Sequence, residues 1–307
     1  MPLVASETLA LVTVTHNSAT ELDALLASID RHLPGVELVV VDSASSDETV
    51  AVAGAASAGA RVRTIALDQN VGFGRASNIG VATVTQAVTA LLNPDVELLD
   101  DSLLALAAQA LRPPERLLAP LVLNSDGSRQ DTVHPRPTSP ADLGRVLVPP
   151  GLAPRRAALG LAPWRSDRPR RVGWAVGCAL VARTDTLRRL GPFDERIFLY
   201  YEDLDLALRA GEQGVETWFC PSARVLHHRA HSSEREFGGE PFELLARARR
   251  EVVARRLGPR RADLDDAAQA ATFASRIVSK RLLGHPVLRE RRQLAALLRV
   301  RRTDGRS

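Results

Sequence analysis

Three acidic residues lie close together in an otherwise apolar stretch. Between Phe198 and Leu206, Glu202, Asp203 and Asp205 fall among aromatic and aliphatic side chains. Burying such charges is costly unless each has a positive partner or a task. In a helix, Glu202 and Asp205 would share a face and Asp203 would point elsewhere. One acid could then act as a general base while the others orient loops or cap the helix. A solvated helix start, favoured by the helix dipole, is the alternative.

A second group of side chains could bind a metal. Asn93-Pro94-Asp95 follows an apolar run, and the proline stops sheet pairing and holds the carboxylate at the rim. A divalent cation on two phosphates needs few protein oxygens, so Asp95 is a candidate ligand, although it could be an ordinary turn residue. His227 and His228 follow a strand-like segment, where neighbours face opposite sides. At most one of them should reach the metal, and either could be structural.

Two further clusters could hold a nucleotide. Asp42 ends another apolar run and could accept hydrogen bonds from a base or ribose, or could only cap the next helix. The segment 70–78 combines glycines that permit close backbone approach, Arg75 and a helix start, which suits a diphosphate. Its glycine spacing is not the dinucleotide-binding fingerprint.

The pattern of apolar residues predicts which elements position these clusters. Strands are expected at 9–15, 36–41, 61–67 and 89–92, alternating with helices at 20–32, from 45 to about 59, and from about 75. This alternation predicts an α/β fold with a mostly parallel sheet flanked by helices, in which ligands bind at the carboxyl ends of strands. Residues 136–170, rich in Pro and Arg, are expected to form an irregular excursion or lid. From residue 241 onwards the pattern is helical.

Charge separates the two ends of the chain. The 307 residues carry a net charge of +4, but residues 241–307 hold 17 basic and 7 acidic side chains, leaving −6 on residues 1–240. The expected basic amphipathic helices of the tail could lie on an anionic membrane surface. An oligomer interface or a solvated surface is the alternative. Aromatic content is only 4% and no RNA-binding aromatic signature is present, so no nucleic-acid partner is expected.

Composition also bears on the compartment. No apolar run approaches the roughly 18–20 residues that span a bilayer, and the first residues lack the features of a signal peptide. With only Cys178 and Cys220, no disulfide framework is expected. We therefore expect a cytoplasmic protein, peripheral at the inner face of the cell membrane.

In this order, the clusters resemble the inverting family-2 glycosyltransferases of the GT-A fold. The resemblance spans roughly residues 9–232. The matching segments are Thr15-His16-Asn17, residues 39–47, residues 70–80, Leu92-Asn93-Pro94-Asp95, residues 191–195, Glu202-Asp203-Leu204-Asp205 and residues 221–232. Residues 172–232 look most like the actinobacterial rhamnosyltransferases that act on a polyprenyl-diphosphate-linked GlcNAc acceptor.

The resemblance implies a catalytic domain over residues 1–240 and transfer of a sugar with inversion. Asp203 matches the general base, and Asp95 matches the second acid of a metal-binding DxD motif whose first position is Asn93 here. Mg²⁺ or Mn²⁺ would be the cofactor, with His227 as a further ligand. The implied nucleotide-sugar-binding residues are Thr15, Asn17, Asp42, Asn70, Gly72, Phe73, Arg75, Asn78 and Asn93, and those that contact the acceptor or orient loops are Trp174, Glu202 and Asp205.

The implied donor is dTDP-rhamnose, and the implied acceptor is a polyprenyl-linked sugar used in cell-wall or polysaccharide assembly. UDP-galactofuranose and other UDP-sugars are alternative donors. A nucleotidyltransferase would share the sheet and the metal, but the first strand-helix turn, residues 13–18, lacks a glycine-rich basic loop. A non-catalytic sugar-binding protein is a further alternative.

Overall fold

The computed structural model describes residues 6–55, 61–147, 159–228 and 240–304. The helices are α1 (Ala19–His32), α2 (Thr49–Gly54), α3 (Phe73–Thr83), α4 (Ser102–Ala110), α5 (Pro140–Leu147), α6 (Thr184–Leu190), α7 (Glu202–Glu212), α8 (Phe242–Leu257), α9 (Pro259–Leu282) and α10 (Leu288–Asp304). The strands are β1 (Leu9–Thr15), β2 (Glu37–Ser43), β3 (Arg61–Leu67), β4 (Val88–Leu92), β5 (Val96–Leu98), β6 (Arg116–Leu123), β7 (Val133–His134), β8 (Arg170–Val172), β9 (Trp174–Ala175), β10 (Ala179–Arg183) and β11 (Glu216–His227).

A nine-stranded sheet forms the centre of the molecule. Its order is β3-β2-β1-β4-β10-β6-β11-β5, and β8 also pairs with β11. Strands β1, β2, β3, β4, β6 and β11 run in one direction, whereas β5, β8 and β10 run against them. The predicted mostly parallel sheet flanked by helices is therefore confirmed. The carboxyl ends of the six co-directional strands meet at one edge, called here the carboxyl edge.

Helices cover both faces of this sheet because the central strand is apolar on both sides. All seven residues of β1 are buried. Leu11 packs on one face with Leu22 of α1, whereas Val12 packs on the other with Ala76 of α3. Side chains alternate across a strand, so one strand contributes to two separate apolar clusters. Because helices pack against both faces of β1, the end of this strand at the carboxyl edge has a fixed position relative to α1 and α3.

The predicted irregular excursion at 136–170 contains a helix, α5. Ser139 caps its start, since the Asp142 N–H donates to Ser139 Oγ at 3.3 Å, and the Asp142 side chain reaches back to accept from the Thr138 N–H at 3.0 Å. Pro140 occupies the first helical position, where its missing N–H costs nothing. The interpretation as an irregular segment was wrong for residues 140–147, because a helix of two turns with a capped start needs no sustained apolar periodicity. Residues 148–158 lie outside the described residues.

The C-terminal helices pack on the body of the protein. Val252 and Val253 of α8 are buried against Leu204 and Leu208 of α7. None of the helices in the described ranges is long and apolar enough to cross a membrane. The predicted domain boundary near residue 240 adjoins residues outside the described ranges and stays a prediction.

Buried ion pairs hold α8 in place. Asp205 of α7, fully buried, accepts from Arg209 Nε at 2.7 Å and from Arg256 Nε of α8 at 2.6 Å. Asp194 accepts from Arg255 Nη1 at 3.1 Å and from Arg256 Nη2 at 3.3 Å. Two acids of the body therefore bind consecutive arginines of the first tail helix.

We expect Asp205→Ala to lower the free energy of unfolding by about 3 kcal/mol, because it leaves two largely buried guanidinium groups without their shared carboxylate. Urea unfolding at neutral pH measures the change. The matched control is Asp263→Ala, since Asp263 pairs with Arg250 at 3.0 Å but its side chain is 57% exposed. Its loss should cost less than about 1 kcal/mol. Equal losses in the two variants would show that the Asp205 cluster does not hold the tail helix.

Candidate active site

Side chains at the ends of β1 and β2 form the first part of the carboxyl edge. Thr15 and Asp42 are opposite each other in the parallel register, and both are buried. The Thr15 hydroxyl donates to Asp42 Oδ1 at 2.9 Å, and the Ser45 N–H donates to Asp42 Oδ2 at 2.9 Å. The Asp42 carboxylate thus fixes the loop after β2. Asp42 does not cap the next helix, since α2 begins at Thr49 and the Thr49 N–H donates to Asp47. The predicted contact of Asp42 with a nucleoside stays a prediction.

Two asparagines shape the neighbouring loops. Asn17 adopts a left-handed backbone (φ 50°), and its side-chain oxygen accepts from the Ser46 N–H at 2.8 Å. The Asn70 side-chain oxygen accepts from the Gly72 N–H at 3.0 Å and from the Ser43 hydroxyl at 3.2 Å. Asn17 and Asn70, two of the predicted donor-binding residues, therefore lie at the carboxyl edge, where they join the loops that follow β1, β2 and β3.

Gly72 is required by the protein chain itself. Its φ is +81°, and a Cβ atom there would lie 2.3 Å from the carbonyl oxygen of Phe198. The next residue, Phe73, packs edge-to-face on Phe193 with ring centroids 5.5 Å apart. The absence of a side chain at Gly72 thus permits close contact between this loop and the segment before α7. The glycine is not needed for ligand binding alone. This contact links the predicted diphosphate loop to the helix that carries the acids.

The remaining residues of the predicted diphosphate loop have protein partners. Asn78 donates to the Phe193 carbonyl oxygen at 2.9 Å and accepts from the Phe193 N–H at 2.9 Å. Arg75 lies 3.7 Å from Glu195 in an exposed ion pair. The loop is therefore fastened to residues 193–195, and the donor-binding roles of Arg75 and Asn78 stay predictions.

Asp95 and His227 meet where β11 runs beside the segment after β4. Asp95 Oδ1 lies 3.1 Å from His227 Nε2, and the side chains are 10% and 12% exposed. Gln130, which is buried, holds the other ring nitrogen: its Oε1 lies 3.0 Å from His227 Nδ1. The Gln130 amide nitrogen donates to the His227 carbonyl oxygen at 2.7 Å. The amide orientation follows from that donation, so the oxygen faces Nδ1 and accepts its proton.

This arrangement assigns the tautomer of His227. With the proton on Nδ1, a neutral ring directs the Nε2 lone pair toward Asp95. Such a pair fits a divalent cation, because adjacent ligands of an octahedral ion at about 2.1 Å lie about 3 Å apart. Within the described residues no group of three or more His, Cys, Asp or Glu could hold a metal.

His228 faces away from this pair. Its Nε2 lies 3.1 Å from Glu97 Oε2, and its Nδ1 lies 3.0 Å from the Ser125 hydroxyl. Adjacent residues at the end of a strand point to opposite sides, as the sequence indicated. The geometry therefore favours His227 over His228 as the metal ligand. Asn93, two residues before Asp95, donates its N–H to the Cys178 carbonyl oxygen at 2.9 Å, which ties this turn to β10.

Asp203 lies in the first turn of α7 and is buried. Its Oδ2 accepts from the Gly177 N–H at 2.8 Å and its Oδ1 accepts from the Leu204 N–H at 2.6 Å. Loss of hydration raises the pKa of this carboxyl, and the two backbone donors offset only part of that rise. Gly177 precedes Cys178, so the acid and the Asn93-Pro94-Asp95 turn contact consecutive residues of one segment.

The other two acids of this turn have different surroundings. Burial raises the pKa of Glu202, and the nearby Asp203 charge adds to the rise. Within the described structure its Oε2 atom is buried without a hydrogen-bond partner. Asp205, by contrast, binds Arg209 and Arg256. The predicted loop-orienting role suits Asp205, whose partner Arg209 also donates to the Pro192 carbonyl oxygen at 2.9 Å.

Strained backbone leads into this turn. Tyr200 and Tyr201 both have positive φ, 71° and 63°, which is uncommon for bulky residues and clusters at functional sites. The Tyr201 ring lies 5.9 Å from that of Trp174, which in turn stacks on His134 at 4.4 Å. Trp174 is thus buried beside the turn, and its predicted acceptor or loop-orienting role stays a prediction.

Sequence reasoning missed two residues of this site. Gln130 stands alone in a polar segment, and no spacing links it to His227, 97 positions later. Gly177 acts through its backbone N–H, which every residue but proline carries. Only the proximity of a glycine to a buried strand could have drawn attention to it.

The chain is similar in sequence to known proteins. Residues 10–159 match the model of glycosyl transferase family 2. An N-acetylglucosaminyl-diphospho-decaprenol L-rhamnosyltransferase of Mycobacterium tuberculosis is 31% identical over 255 residues, covering 75% of this chain and 79% of the relative.

Solved structures share the fold at low identity. A mannosyltransferase from Pyrobaculum calidifontis in complex with GDP-Man and Mn²⁺ superposes with a TM-score of 0.62 at 15% identity, over 95% of this chain and 85% of that one. Residues 1–349 of S. aureus TarS in complex with UDP-GlcNAc give 0.57 at 14% identity, over 95% and 79%. The sheet and its helices thus have the GT-A arrangement, as the sequence predicted.

The raised pKa of Glu202 predicts how stability varies with pH. A carboxyl that holds its proton more tightly when folded makes the folded chain lose stability as pH rises above the ordinary carboxyl range, from about pH 4 to about pH 8. Glu202→Gln, which cannot ionise, should show a shallower decline in the free energy of unfolding over this range. Asp203 will still contribute a decline of the same sign.

Urea unfolding across the pH range measures this slope. The control is Glu212→Gln, at the exposed end of the same helix, which should follow the wild-type curve. A Glu202→Gln curve parallel to wild type would mean that Glu202 is ionised in the folded protein.

Proposed function

Because the chain belongs to glycosyl transferase family 2, we propose that it transfers L-rhamnose from dTDP-rhamnose to a polyprenyl-diphosphate-linked GlcNAc. The convergence of Asp95, His227 and the Asp203 segment at the carboxyl edge is the observation that carries the proposal. The choice of sugar and acceptor follows the mycobacterial relative, which covers three quarters of this chain. The reaction would serve assembly of a cell wall or surface polysaccharide.

The donor would bind across the ends of β1 to β4. The proposed nucleoside contacts are Thr15, Asp42 and Asn70, whose loops are already fixed by mutual hydrogen bonds. Preordered loops reduce the entropy lost on binding. The free N-terminus of α3, at Phe73, lies beyond this cluster and suits the negative diphosphate.

Asp95 and His227 would hold a divalent cation, Mg²⁺ or Mn²⁺. Bound there, the cation would neutralise negative charge on the departing diphosphate. Asp95 offers an oxygen and His227 a nitrogen whose direction Gln130 fixes. Ligating histidines are commonly oriented in this way through their second nitrogen, and loss of that partner weakens metal binding by about 10–100-fold.

Asp203 would act as the general base. It would remove the proton of the acceptor hydroxyl as that oxygen forms a bond to the anomeric carbon, and the bond to the nucleoside diphosphate would break on the opposite face. One displacement of this kind inverts the anomeric centre. A pKa raised by burial brings Asp203 nearer to neutral pH, where a base removes protons most effectively. Backbone donors from Gly177 and Leu204 would hold the carboxylate in position.

A panel of donors tests the sugar assignment. Purified chain is mixed with a synthetic GlcNAc-diphosphoryl lipid and either dTDP-rhamnose, UDP-galactofuranose, UDP-GlcNAc or GDP-mannose, and products are identified by mass spectrometry and NMR. We expect a rhamnosylated lipid of inverted anomeric configuration from dTDP-rhamnose. Transfer from another donor alone would replace the sugar in the proposal, and retention of configuration would contradict the single displacement.

Asp203→Asn should separate binding from turnover. The amide keeps the shape of the side chain but does not accept a proton, so we expect kcat to fall by at least about 10²-fold. Stabilisation by dTDP-rhamnose in a thermal unfolding assay should be retained, since Asp203 is not a proposed donor contact. Asp185→Asn, at an exposed position on α6, is the control. A variant with near wild-type kcat would remove Asp203 from the role of base.

We also propose that the tail, residues 241–307, docks the enzyme on an anionic membrane surface through the α9–α10 turn (residues 278–288). The four most exposed large apolar side chains of the described structure lie there: Leu282 (83%), Leu283 (71%), Leu288 (60%) and Val278 (57%). Arg281 is exposed beside them. An apolar tip next to cationic groups suits insertion at a lipid headgroup boundary.

The ion pairs of the tail arginines indicate which of them would contribute to a cationic, lipid-binding surface. Arg289 donates to Glu240 at 2.7 Å, and Arg299 is paired with Glu243. Arg291 and Arg292 of α10 are exposed. The predicted cationic surface therefore depends more on Arg281, Arg291 and Arg292 than on the two paired arginines.

Replacement of Leu282 and Leu283 by Gln should lower binding to vesicles containing anionic lipid by at least about 10-fold, because inserting one leucine is worth about 1.5–3 kcal/mol. Vesicle sedimentation measures the binding, which should weaken further above about 0.15 M salt. Leu264→Gln, on the same helix and 44% exposed, is the control. Unchanged binding in the double variant would exclude the α9–α10 turn as the docking site.

A further inference from the structure

A cavity of about 210 Å³ lies between the body and the helical tail. The body contributes His134, Trp174 and Tyr201 to its wall, and α9 contributes Gln269 and Phe273. Pockets that enclose drug-sized ligands measure about 300–1,000 Å³. This cavity is therefore too small for a whole nucleotide sugar and is of the size for a single ring.

The wall has the chemistry of a sugar-binding site. Trp174 stacks on His134 with ring centroids 4.4 Å apart, and Tyr201 lies 5.9 Å from Trp174, so one side is aromatic. Asp131, Asp142, Arg249 and Arg276 also line the space, and Asp142 accepts from the Thr138 N–H as well. A pyranose presents an apolar face of C–H groups to aromatic rings and hydroxyl groups to carboxylates and amides, so both kinds of surface find a partner here.

The cavity adjoins the proposed base along two stretches of chain. Trp174 lies three residues before Gly177, whose N–H binds Asp203 Oδ2 at 2.8 Å. Tyr201 lies two residues before Asp203. Three residues of extended chain span at most about 11 Å, so the aromatic wall and the carboxylate are near neighbours.

We propose that this cavity binds the sugar ring of the acceptor and that α9 of the tail forms one wall of the acceptor site. This inference rests on the proposed function, because it assumes a pyranose acceptor. It gives the tail a second role, since a helix that contacts the acceptor completes the active site whether or not the tail touches lipid. The ion pair of Arg249 of α8 with Asp265 of α9, at 2.8 Å, holds these helices together at the cavity.

A larger side chain placed in the cavity tests the proposal without removing any side chain from the core. Ala268 lines the cavity, whereas its neighbour Ala267 is exposed and does not. We expect Ala268→Phe to raise the KM for a synthetic GlcNAc-diphosphoryl lipid by at least about 10-fold, a scale typical of small changes in a fitted pocket. The KM for the donor should be unchanged. Ala267→Phe is the matched control and should behave as wild type, and thermal unfolding of both variants verifies that they fold.

Phe273→Ala, which enlarges the cavity instead, provides a second variant and should also raise only the acceptor KM. Direct binding of the same lipid, without donor, is followed by the fluorescence of Trp174 in a chain whose Trp164 and Trp218 are replaced by Phe. We expect quenching that Ala268→Phe abolishes.

The outcomes distinguish the two proposals. Wild-type transfer with an unchanged acceptor KM in both cavity variants would overturn the cavity assignment and leave the transferase proposal standing. Acceptor binding at Trp174 without sugar transfer from any donor would overturn the proposed function but support the cavity. No binding of the lipid by the wild-type chain would overturn the cavity assignment.

Discussion

A carboxylate taken out of water must find compensating charge, find hydrogen-bond donors, or keep its proton, and this constraint organises the structure. The first turn of α7 shows all three solutions within four residues. Asp205 is compensated by arginines, Asp203 accepts two backbone N–H groups, and Glu202 has neither, so its pKa rises. Asp203 can therefore serve as a base in this turn, because the acids on either side of it are stabilised in other ways. The same requirement draws Arg256 of the tail onto the body, so the position of the tail depends on the acids beside the active site.

The direction of the strands determines where the remaining chemistry lies. Six strands point toward one edge, and polar side chains follow the ends of several of them. Asp95 and His227 come from distant parts of the chain and meet there because β11 and β4 end at the same edge. Segments that cross between these ends, such as Gly177-Cys178, connect the metal-binding candidates to Asp203. Donor, cation and base would therefore be arranged by the sheet, whereas the proposed acceptor cavity depends on the tail.

Local patterns made much of this arrangement predictable. Apolar runs defined β1 to β4, and the opposite directions of His227 and His228 follow from their adjacency on a strand. The acids of α7 were identifiable because charge is rare in such an apolar segment. Gln130, Gly177 and the packing of Arg256 were beyond prediction, since each acts through a contact across the fold that leaves no local pattern. The helix at 140–147 was missed although Ser139, Pro140 and Asp142 carry its capping signal. The family resemblance indicated the proposed roles of these residues, and the structure showed which groups of the protein contact them.

The central claim is that Asp95 and His227 form a cation site whose nitrogen ligand is directed by Gln130. Titration of Mn²⁺ into the chain with saturating dTDP, followed by electron paramagnetic resonance, measures the site without requiring turnover. We expect one bound ion per chain, no such ion in Asp95→Ala, and affinity about 10–100-fold weaker in Gln130→Leu. Gln213→Leu, at an exposed glutamine, should bind like wild type. Equal Mn²⁺ affinity in wild type, Asp95→Ala and Gln130→Leu would show that Asp95 and His227 do not form the cation site.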